Sequence, residues 1–156
     1  MVRYELFVVV VAIAASLLLI QASAQSTQPV DQICLGCICH GMSLCNQTIG
    51  CNGDTCGAFK ITWAYWSDAG KPTISGIDPN SQEAYSRCTN DAVCSGKTVE
   101  NYMIKFAQDC DADGQIDCRD YAAIHRLGGY GCNAPLDATY LARFNKCLND
   151  VAQLNG

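Results

Sequence analysis

The sequence predicts a small, disulfide-rich domain that is helical through its second half. Twelve cysteines occur in 156 residues, and all of them follow residue 33. Apolar residues recur at three- and four-residue spacing in the segments 98–108, 121–127 and 140–151, which indicates helices that bury one face. Half of the cysteines lie between residues 34 and 56, where short cross-linked turns are expected.

The first expected element is a short helix over 33–45, because Cys34, Ile38 and Met42 recur every four residues. Turns dense in cysteine follow, and the next segment, CGAFKITWAYW, supplies much of the aromatic mass. A loop rich in Gly, Pro, Ser and Asp is predicted over 67–86.

Three helices are predicted in the second half. The first has Thr98 as its expected N-cap, and the second ends at the C-cap signal Gly128-Gly129. The third follows an apolar stripe that begins at Tyr140. The apolar faces of these helices are expected to form the core, with Val99, Met103, Phe106, Tyr121, Ile124, Leu127, Tyr140, Leu141, Phe144, Leu148 and Val151.

Residues 1–24 predict a secretory signal peptide. A short charged start precedes an apolar run over 7–20, and Ala22-Ser23-Ala24 has the A-x-A form of a cleavage site. The apolar run is too short for a stable membrane span. The protein is therefore expected to be secreted and extracellular, with a mobile lead-in over 25–32 and one folded domain over 33–150.

An exported chain with an even cysteine count is expected to form disulfides rather than to bind zinc or to undergo redox cycling. Cys34-x-x-Cys37 alone would suggest a metal knuckle or a redox pair. Cys39 and Cys45 follow closely, so six structural disulfides are the favoured interpretation. Each disulfide typically contributes ~2–4 kcal/mol to stability.

The formal net charge of −5 bears on which classes of macromolecule the protein can bind. No basic patch is visible along the chain, which argues against a nucleic-acid partner and against electrostatic attraction to anionic bacterial surfaces.

An acidic segment, DCDADGQIDCRD, begins at Asp109 and has the spacing of a twelve-residue calcium loop. Asp109, Asp111, Asp113 and Asp120 would be the oxygen ligands, and Gly114 stands at the position of the sharp turn. The final ligand is Asp rather than Glu, and two cysteines lie inside the loop. A structural calcium ion and a solvated acidic turn are the two alternatives.

Several cysteine motifs together resemble one family, the invertebrate-type lysozymes, which include destabilase. They are CLGCICHGMSLC, IGC, DTCGAFKITWAYW, the pair Cys88 and Cys94, and GGYGC. The similarity runs from Cys34 to Cys147. It implies an α+β, lysozyme-like fold, mainly helical with a small β region, and hydrolysis of the β-1,4 bond of peptidoglycan without a required cofactor. Some members are also credited with isopeptidase activity.

The resemblance also implies disulfide pairs. Three local bridges are expected: Cys39 to Cys45, Cys51 to Cys56, and Cys88 to Cys94. Family members usually have cysteines where this chain has Ala69 and Thr98. Both are missing together, which fits the loss of one bridge.

The catalytic carboxyl groups of the family fall on Met42 and Asp54. A retaining glycosidase uses one protonated carboxyl group as general acid and a carboxylate about 5 Å away as nucleophile or stabiliser. Asp54 matches the second group, but Met42 stands where the family has the acidic Glu. General acid catalysis is worth roughly 10²–10⁴ in rate. Muramidase activity is therefore expected to be weak or absent.

The sequence offers candidates for two replacement chemistries. Asp68 and Asp78 are candidates for a relocated acid, whereas His40 is expected on a different side of the helix from Met42. For isopeptidase activity, His125 aligns with an implicated histidine. The family's serine-bearing stretch is shortened here to Asp54-Thr55-Cys56, which leaves that histidine without a nucleophile. A histidine on a helix face near the Gly-Gly cap is the simpler interpretation.

Three functions follow from these residues: an impaired muramidase, a catalytically silent glycan-recognition module, or a lysozyme with a relocated acid. The expected partner is a bacterial cell-wall glycan or a chitin-like oligosaccharide, in defence or digestion.

Met42 shares a helix face with Ile38, so it is expected to pack in the core or in a pocket wall. Asn46-Gln47-Thr48 is a sequon that predicts N-glycosylation at Asn46.

Overall fold

The computed structural model describes residues 30–155. The predicted signal peptide and the first part of the predicted lead-in lie outside these residues. Six helices and a three-stranded antiparallel sheet make up the described chain. In chain order they are α1 (Gln32–Ser43), β1 (Cys51–Asn52), β2 (Thr55–Cys56), β3 (Ile61–Thr62), α2 (Trp63–Asp68), α3 (Gln82–Asn90), α4 (Ala92–Phe106), α5 (Cys118–Leu127) and α6 (Ala138–Asn155).

Helix α1 is the central element of the fold, and it packs chiefly along α6. Its first turn is capped by Asp31, whose side chain accepts a hydrogen bond from the Cys34 amide at 2.7 Å. The helix ends at Leu44, which adopts the left-handed conformation. At Gly41 a Cβ would lie 2.6 Å from the Tyr140 ring, so only glycine permits this close contact between α1 and α6.

The folded domain begins earlier than the sequence predicted. Val30 is 1% exposed and belongs to the core, Asp31 caps α1, and Gln32 is already helical. Burial of the valine side chain and the cap hydrogen bond hold these three residues, which the sequence assigned to a mobile lead-in.

The small β region consists of three two-residue strands in the order β1-β2-β3. Cys51 lies opposite Cys56 in the β1–β2 ladder, and these two residues are disulfide-bonded. Mainly helical structure with this small sheet confirms the α+β fold class. None of the helices within residues 30–155 combines the length and the hydropathy needed to cross a bilayer.

Two predictions about the middle of the chain are wrong. Thr98 is not an N-cap: α4 begins six residues earlier, because Asp91 accepts a hydrogen bond from the Cys94 amide at 2.8 Å. Thr98 is instead buried in mid-helix, where its hydroxyl donates to the Cys94 carbonyl. The predicted loop over 67–86 is also too long, since Ser81 caps a helix that starts at Gln82.

All twelve cysteines are paired. Three bridges are local and are the pairs that the resemblance implies: Cys39–Cys45, Cys51–Cys56 and Cys88–Cys94. Three join distant segments: Cys34–Cys118, Cys37–Cys147 and Cys110–Cys132. The Cys34-x-x-Cys37 motif is therefore neither a metal knuckle nor a redox pair, because each of its cysteines bonds to a different helix.

The positions that lack the family's extra cysteines are both buried. Ala69 is 4% exposed at the end of α2, and Thr98 lies inside α4. The Asn101 side chain, one helical turn from Thr98, donates a hydrogen bond to the Ala69 carbonyl at 3.1 Å. The end of α2 is thus held against α4 by a hydrogen bond and packing.

Gly57 is expected to be among the least replaceable glycines. It has a φ of 74°, and a Cβ there would lie 1.7 Å from the Thr89 carbonyl oxygen. Gly57→Ala should cost about 2–4 kcal/mol, because left-handed strain and a clash with the backbone add together. Gly53 has a φ of 64°, and a Cβ there would have no atom within 4 Å. Gly53→Ala should therefore cost about 1 kcal/mol of unfolding free energy, from the left-handed strain alone. Urea unfolding of both variants measures the difference, and equal losses would contradict the clash.

Candidate functional site

An open cleft of about 340 Å³ lies between α1, the sheet, α2, α4 and α5. Each of these elements contributes side chains to its wall, so the cleft exists only in the folded chain. Its lining residues are Met42, Thr55, Lys60, Thr62, Ala64, Tyr65, Asp68, Tyr102, His125, Arg126 and Gly128. The mixture of aromatic rings, hydroxyl groups and charges suits a polar ligand with apolar faces.

Met42 forms part of the cleft wall on the last turn of α1. Ile38, four residues earlier, is completely buried beneath it in the core. Met42 is partly exposed and borders the space in which a ligand would lie. His40, in contrast, is directed to α6, where its Nδ1 lies 3.2 Å from the Arg143 carbonyl oxygen.

Asp54 lies at the turn of the β1–β2 hairpin, and its side chain is exposed. It is not among the residues that line the cleft, although its neighbour Thr55 is. Tyr85 anchors the hairpin by donating hydrogen bonds to the carbonyls of Ile61 at 2.6 Å and Asp54 at 3.3 Å. Burial raises the pKa of Tyr85, and the Asp54 charge adds to this. Asp54 therefore stands at the rim, one residue from the wall.

The two candidates for a relocated acid are separated by the structure. Asp68 lines the cleft and forms an ion pair with Lys105 at 2.7 Å. Asp78 lies in the loop before α3, where its side chain accepts a hydrogen bond from the Asn80 amide. It does not line the cleft. Asp68 is thus the one carboxyl group among the described residues of the cleft wall, and it is already held by a cation.

His125 is buried at the base of the cleft and uses both ring nitrogens. Nε2 lies 3.0 Å from the Phe59 carbonyl, which can only accept, so this nitrogen carries the proton. Nδ1 then accepts a hydrogen bond from the Tyr65 hydroxyl at 3.0 Å. Burial lowers the pKa of His125 to about 4 and raises the pKa of Tyr65 well above its usual value. The pair is neutral and structural, with no free nitrogen for a nucleophilic mechanism.

This burial makes His125 a source of acid sensitivity. Since the folded-state pKa is about 4 and the unfolded value about 6.5, the unfolded chain binds the proton first as the pH falls. The free energy of unfolding should therefore drop by up to about 3 kcal/mol between pH 6.5 and 4. His125→Gln keeps a donor and an acceptor but does not titrate. Urea titrations of both proteins across this range test the prediction, and identical slopes would contradict it.

Four aromatic rings run from the cleft to the surface. Tyr65 stacks on Tyr102 with ring centroids 3.6 Å apart, Tyr102 contacts Phe106 at 4.4 Å, and Phe106 meets Tyr130 edge-on at 5.5 Å. Tyr130 is 94% exposed and lies two residues after Gly128, a cleft residue. Tyrosine faces of this kind stack on the flat, apolar faces of pyranose rings.

A second, smaller cavity of about 130 Å³ adjoins the cleft. The two share Met42, Lys60 and Arg126. The smaller cavity is completed by Gly41, Asp137, Thr139, Tyr140 and Arg143. This group is not predictable from the sequence, because its charged residues come from the β2–β3 turn, α5, and Asp137 and Arg143 at the start of α6.

The acidic segment brings together three of its four predicted ligands. Oxygen atoms of Asp109, Asp111 and Asp120 lie within 4.8 Å of one another, and Asp113 is outside this group. Partial desolvation and the neighbouring carboxylates raise the pKa of Asp111. Asp120 is buried, and its two oxygens accept hydrogen bonds from the amides of Cys110 at 2.7 Å and Asp117 at 2.8 Å. The bond from the Asp117 amide makes Asp120 the N3 partner of the N-cap Asp117 in the capping box of α5, which is a structural role.

The sequon residue Asn46 is exposed on the turn that follows α1. Its side-chain oxygen accepts hydrogen bonds from the Thr48 amide at 2.9 Å and the Thr48 hydroxyl at 2.8 Å. A glycan attached to Asn46 would therefore project from the turn that follows α1, four residues after Met42.

Comparisons with known proteins identify relatives over most of the chain. A family model described as Destabilase matches residues 31–147. The chain is 38% identical over 103 residues to invertebrate-type lysozyme 3 of Caenorhabditis elegans, covering 64% of this chain and 73% of that protein. It is 33% identical over 121 residues to a lysozyme of Meretrix lusoria, covering 75% of this chain and 89% of that one.

Solved structures agree with these relatives. The Meretrix lusoria lysozyme in complex with PliI of Aeromonas hydrophila superimposes with a TM-score of 0.60 and 32% identity, over 75% of this chain and 89% of that one. The Tapes japonica lysozyme gives a TM-score of 0.56 with 32% identity, over 76% and 88% of the two chains.

A mainly helical α+β fold, six disulfides and an open cleft beside a small sheet define a lysozyme-like protein. The chain belongs to the destabilase family of invertebrate-type lysozymes. The resemblance that the cysteine motifs indicate is confirmed.

Proposed function

We propose that this protein is secreted and that it binds bacterial cell-wall glycan, with muramidase activity that is weak or absent. The observation that carries the proposal is Met42 in the cleft wall, at the position that the resemblance of the cysteine motifs assigns to the general acid of the family. A thioether has no proton for the leaving glycosidic oxygen, so the cleft keeps a ligand-binding shape without this step of the chemistry.

Glycan binding is supported by the character of the cleft. Tyr65 in the cleft wall and the exposed ring of Tyr130 offer apolar faces, and Thr55 and Thr62 offer hydroxyl groups. Binding without turnover would serve recognition in defence, and slow turnover would serve either defence or digestion.

Secretion is supported by the disulfides. Six bridges use every cysteine, and such density is typical of oxidising, extracellular compartments. The signal-like sequence over 1–24 gives the same expectation.

A lysozyme with a relocated acid is the second candidate function, and Asp68 is the observation that favours it. Asp68 is the carboxyl group that the cleft wall retains among the described residues. Its ion pair with Lys105 opposes this role, because a general acid must carry a proton.

The experiment that separates these functions measures binding and turnover on one preparation. Calorimetry with N-acetylglucosamine oligomers and peptidoglycan fragments reports binding, and the release of reducing ends reports hydrolysis. Binding without hydrolysis supports the proposal. Hydrolysis that disappears in Asp68→Asn or Asp54→Ala supports the second candidate, and failure to bind any glycan contradicts both.

Calcium binding by the acidic segment stays a prediction. Asp109, Asp111 and Asp120 would supply the oxygen ligands, and a bound ion would relieve the repulsion between them. Thermal unfolding with and without millimolar calcium tests this, with Asp111→Asn as the comparison variant.

A further inference from the structure

The small cavity beside the cleft concentrates positive charge on an acidic protein. The chain carries a net charge of −5 and has ten Lys and Arg residues in total. Three of the ten, Lys60, Arg126 and Arg143, line a cavity of about 130 Å³. The local charge is therefore opposite in sign to the charge of the molecule.

One of these cations is already neutralised. Arg126 Nε lies 2.7 Å from the Asp137 carboxylate, which also accepts a hydrogen bond from the Tyr140 amide at 3.0 Å. These two contacts lower the pKa of Asp137, the amide bond contributing most, and hold the carboxylate at the start of α6. Asp137 is thus committed to Arg126 and to the helix.

The other two cations have no such partner. Within the described residues, neither Lys60 nor Arg143 has a carboxylate oxygen within 4.0 Å of its charged nitrogens. Counting Asp137 against the three cations, the cavity has a net charge of +2. Thr139, in the first turn of α6, adds a hydroxyl group to the same wall.

The position of this cavity ties it to the glycan cleft. Met42, Lys60 and Arg126 line both spaces, so a strand lying in the cleft passes directly beside the unpaired cations. Because both cations line one small concave surface, their attractions on a single bound anion add together.

We propose that this cavity, through Lys60 and Arg143, binds a carboxylate of the glycan and gives the cleft a preference for anionic over neutral strands. The inference rests on the proposed glycan binding. Peptidoglycan carries a lactyl carboxylate on every second sugar and further carboxylates on its stem peptides, whereas chitin-type strands carry none. Lys60 and Arg143 are thus specificity residues that distinguish two polymers with the same β-1,4 linkage.

The test compares three hexasaccharides by calorimetry at low salt: the N-acetylglucosamine hexamer, a peptide-free peptidoglycan hexamer, and the latter with its lactyl carboxylates methyl-esterified. The wild-type protein is expected to bind the free-carboxylate strand about tenfold more tightly than the other two, the difference expected for a hydrogen-bonded charge pair. A peptide-bearing strand separates the sources: preference for that strand alone assigns the carboxylate to the stem.

Variants locate the effect. Lys60→Gln with Arg143→Gln should abolish the preference, so that the free-carboxylate strand and its methyl ester bind the double variant with equal affinity. Lys146→Gln is the matched control for Arg143→Gln, since it lies on the same helix, removes the same charge and lines neither cavity. Thermal unfolding of each variant verifies that it is folded.

The outcomes distinguish a failure of the carboxylate-binding inference from a failure of the proposed glycan binding. Equal affinity of the wild-type protein for all strands, or a preference that survives in the double variant, overturns the inference while glycan binding stands. No binding of any strand overturns the proposed function itself.

Discussion

Replacing Met42 with glutamate is expected to raise glycosidic-bond hydrolysis by about 10²–10⁴, the usual worth of a general acid. Position 42 is in the cleft wall, and the completely buried Ile38 lies beneath it. An apolar surrounding raises the pKa of a carboxyl group and favours the protonated form that donates to the leaving oxygen.

Lys60 limits this gain, because it lines the same two cavities as Met42. A neighbouring ammonium group stabilises the ionised carboxylate and so withholds the proton. With the strand saturating, the double variant Met42→Glu, Lys60→Gln should therefore have a higher kcat at neutral pH than Met42→Glu alone. The pH–rate profile of the double variant should extend to higher pH.

Two controls make the result specific. Met42→Gln has nearly the same length and shape as Met42→Glu but carries no acidic proton, so it should hydrolyse the glycan no faster than the natural protein. Adding Asp54→Ala to Met42→Glu should remove the gain if the rim carboxylate completes the pair. Rates of reducing-end release measure each variant, and equal rates for the Gln and Glu variants would show that the cleft does not position the acid.

Loss of the Cys37–Cys147 bridge is expected to cost about 5 kcal/mol of unfolding free energy. This bridge joins α1 to α6. With Cys34–Cys118 intact, it closes a loop of about 32 residues made of the segments 34–37 and 118–147, for which chain entropy predicts about 4 kcal/mol. Cys37 is also completely buried, so its removal disturbs the packing of α1. The double variant Cys37→Ala, Cys147→Ala should unfold at markedly lower urea concentration.

The bridge between Cys39 and Cys45 provides the comparison. It spans only 6 residues, for which chain entropy predicts about 2 kcal/mol. Urea unfolding under non-reducing conditions of both double alanine variants gives the difference directly. Equal losses would show that loop length does not determine the contribution of these bridges.

The cysteine motifs and helical periodicity predicted the general fold, but they predicted neither helix α3 nor the start of helix α4. Helix α3 has only four buried residues, Ala84, Tyr85, Cys88 and Thr89, among polar ones, and it follows a loop rich in Gly and Pro. Its amphipathic character becomes clear only when Cys88 is known to be bonded and buried. Thr98 was assigned to a cap because threonine favours that position, yet its hydroxyl is satisfied within the helix.

The candidate site, like the fold, was predictable from the sequence only in part. The four-residue spacing from Ile38 placed Met42 correctly on the inner side of α1. The charges beside it were not predictable, because Lys60, Arg126 and Arg143 are far apart in sequence and become neighbours only through packing. Asp54 was predicted by alignment, whereas its place at the rim depends on the short β1–β2 hairpin.

The long-range bridges also determine what happens when the backbone is cut. The segment around Ile74, Ser75 and Gly76 is exposed and is an accessible site for a protease. A cut there leaves two pieces, which Cys34–Cys118 and Cys37–Cys147 still join covalently. Both walls of the cleft therefore stay attached to each other in a nicked molecule. In this protein, a single cut in the backbone does not separate the molecule into two parts.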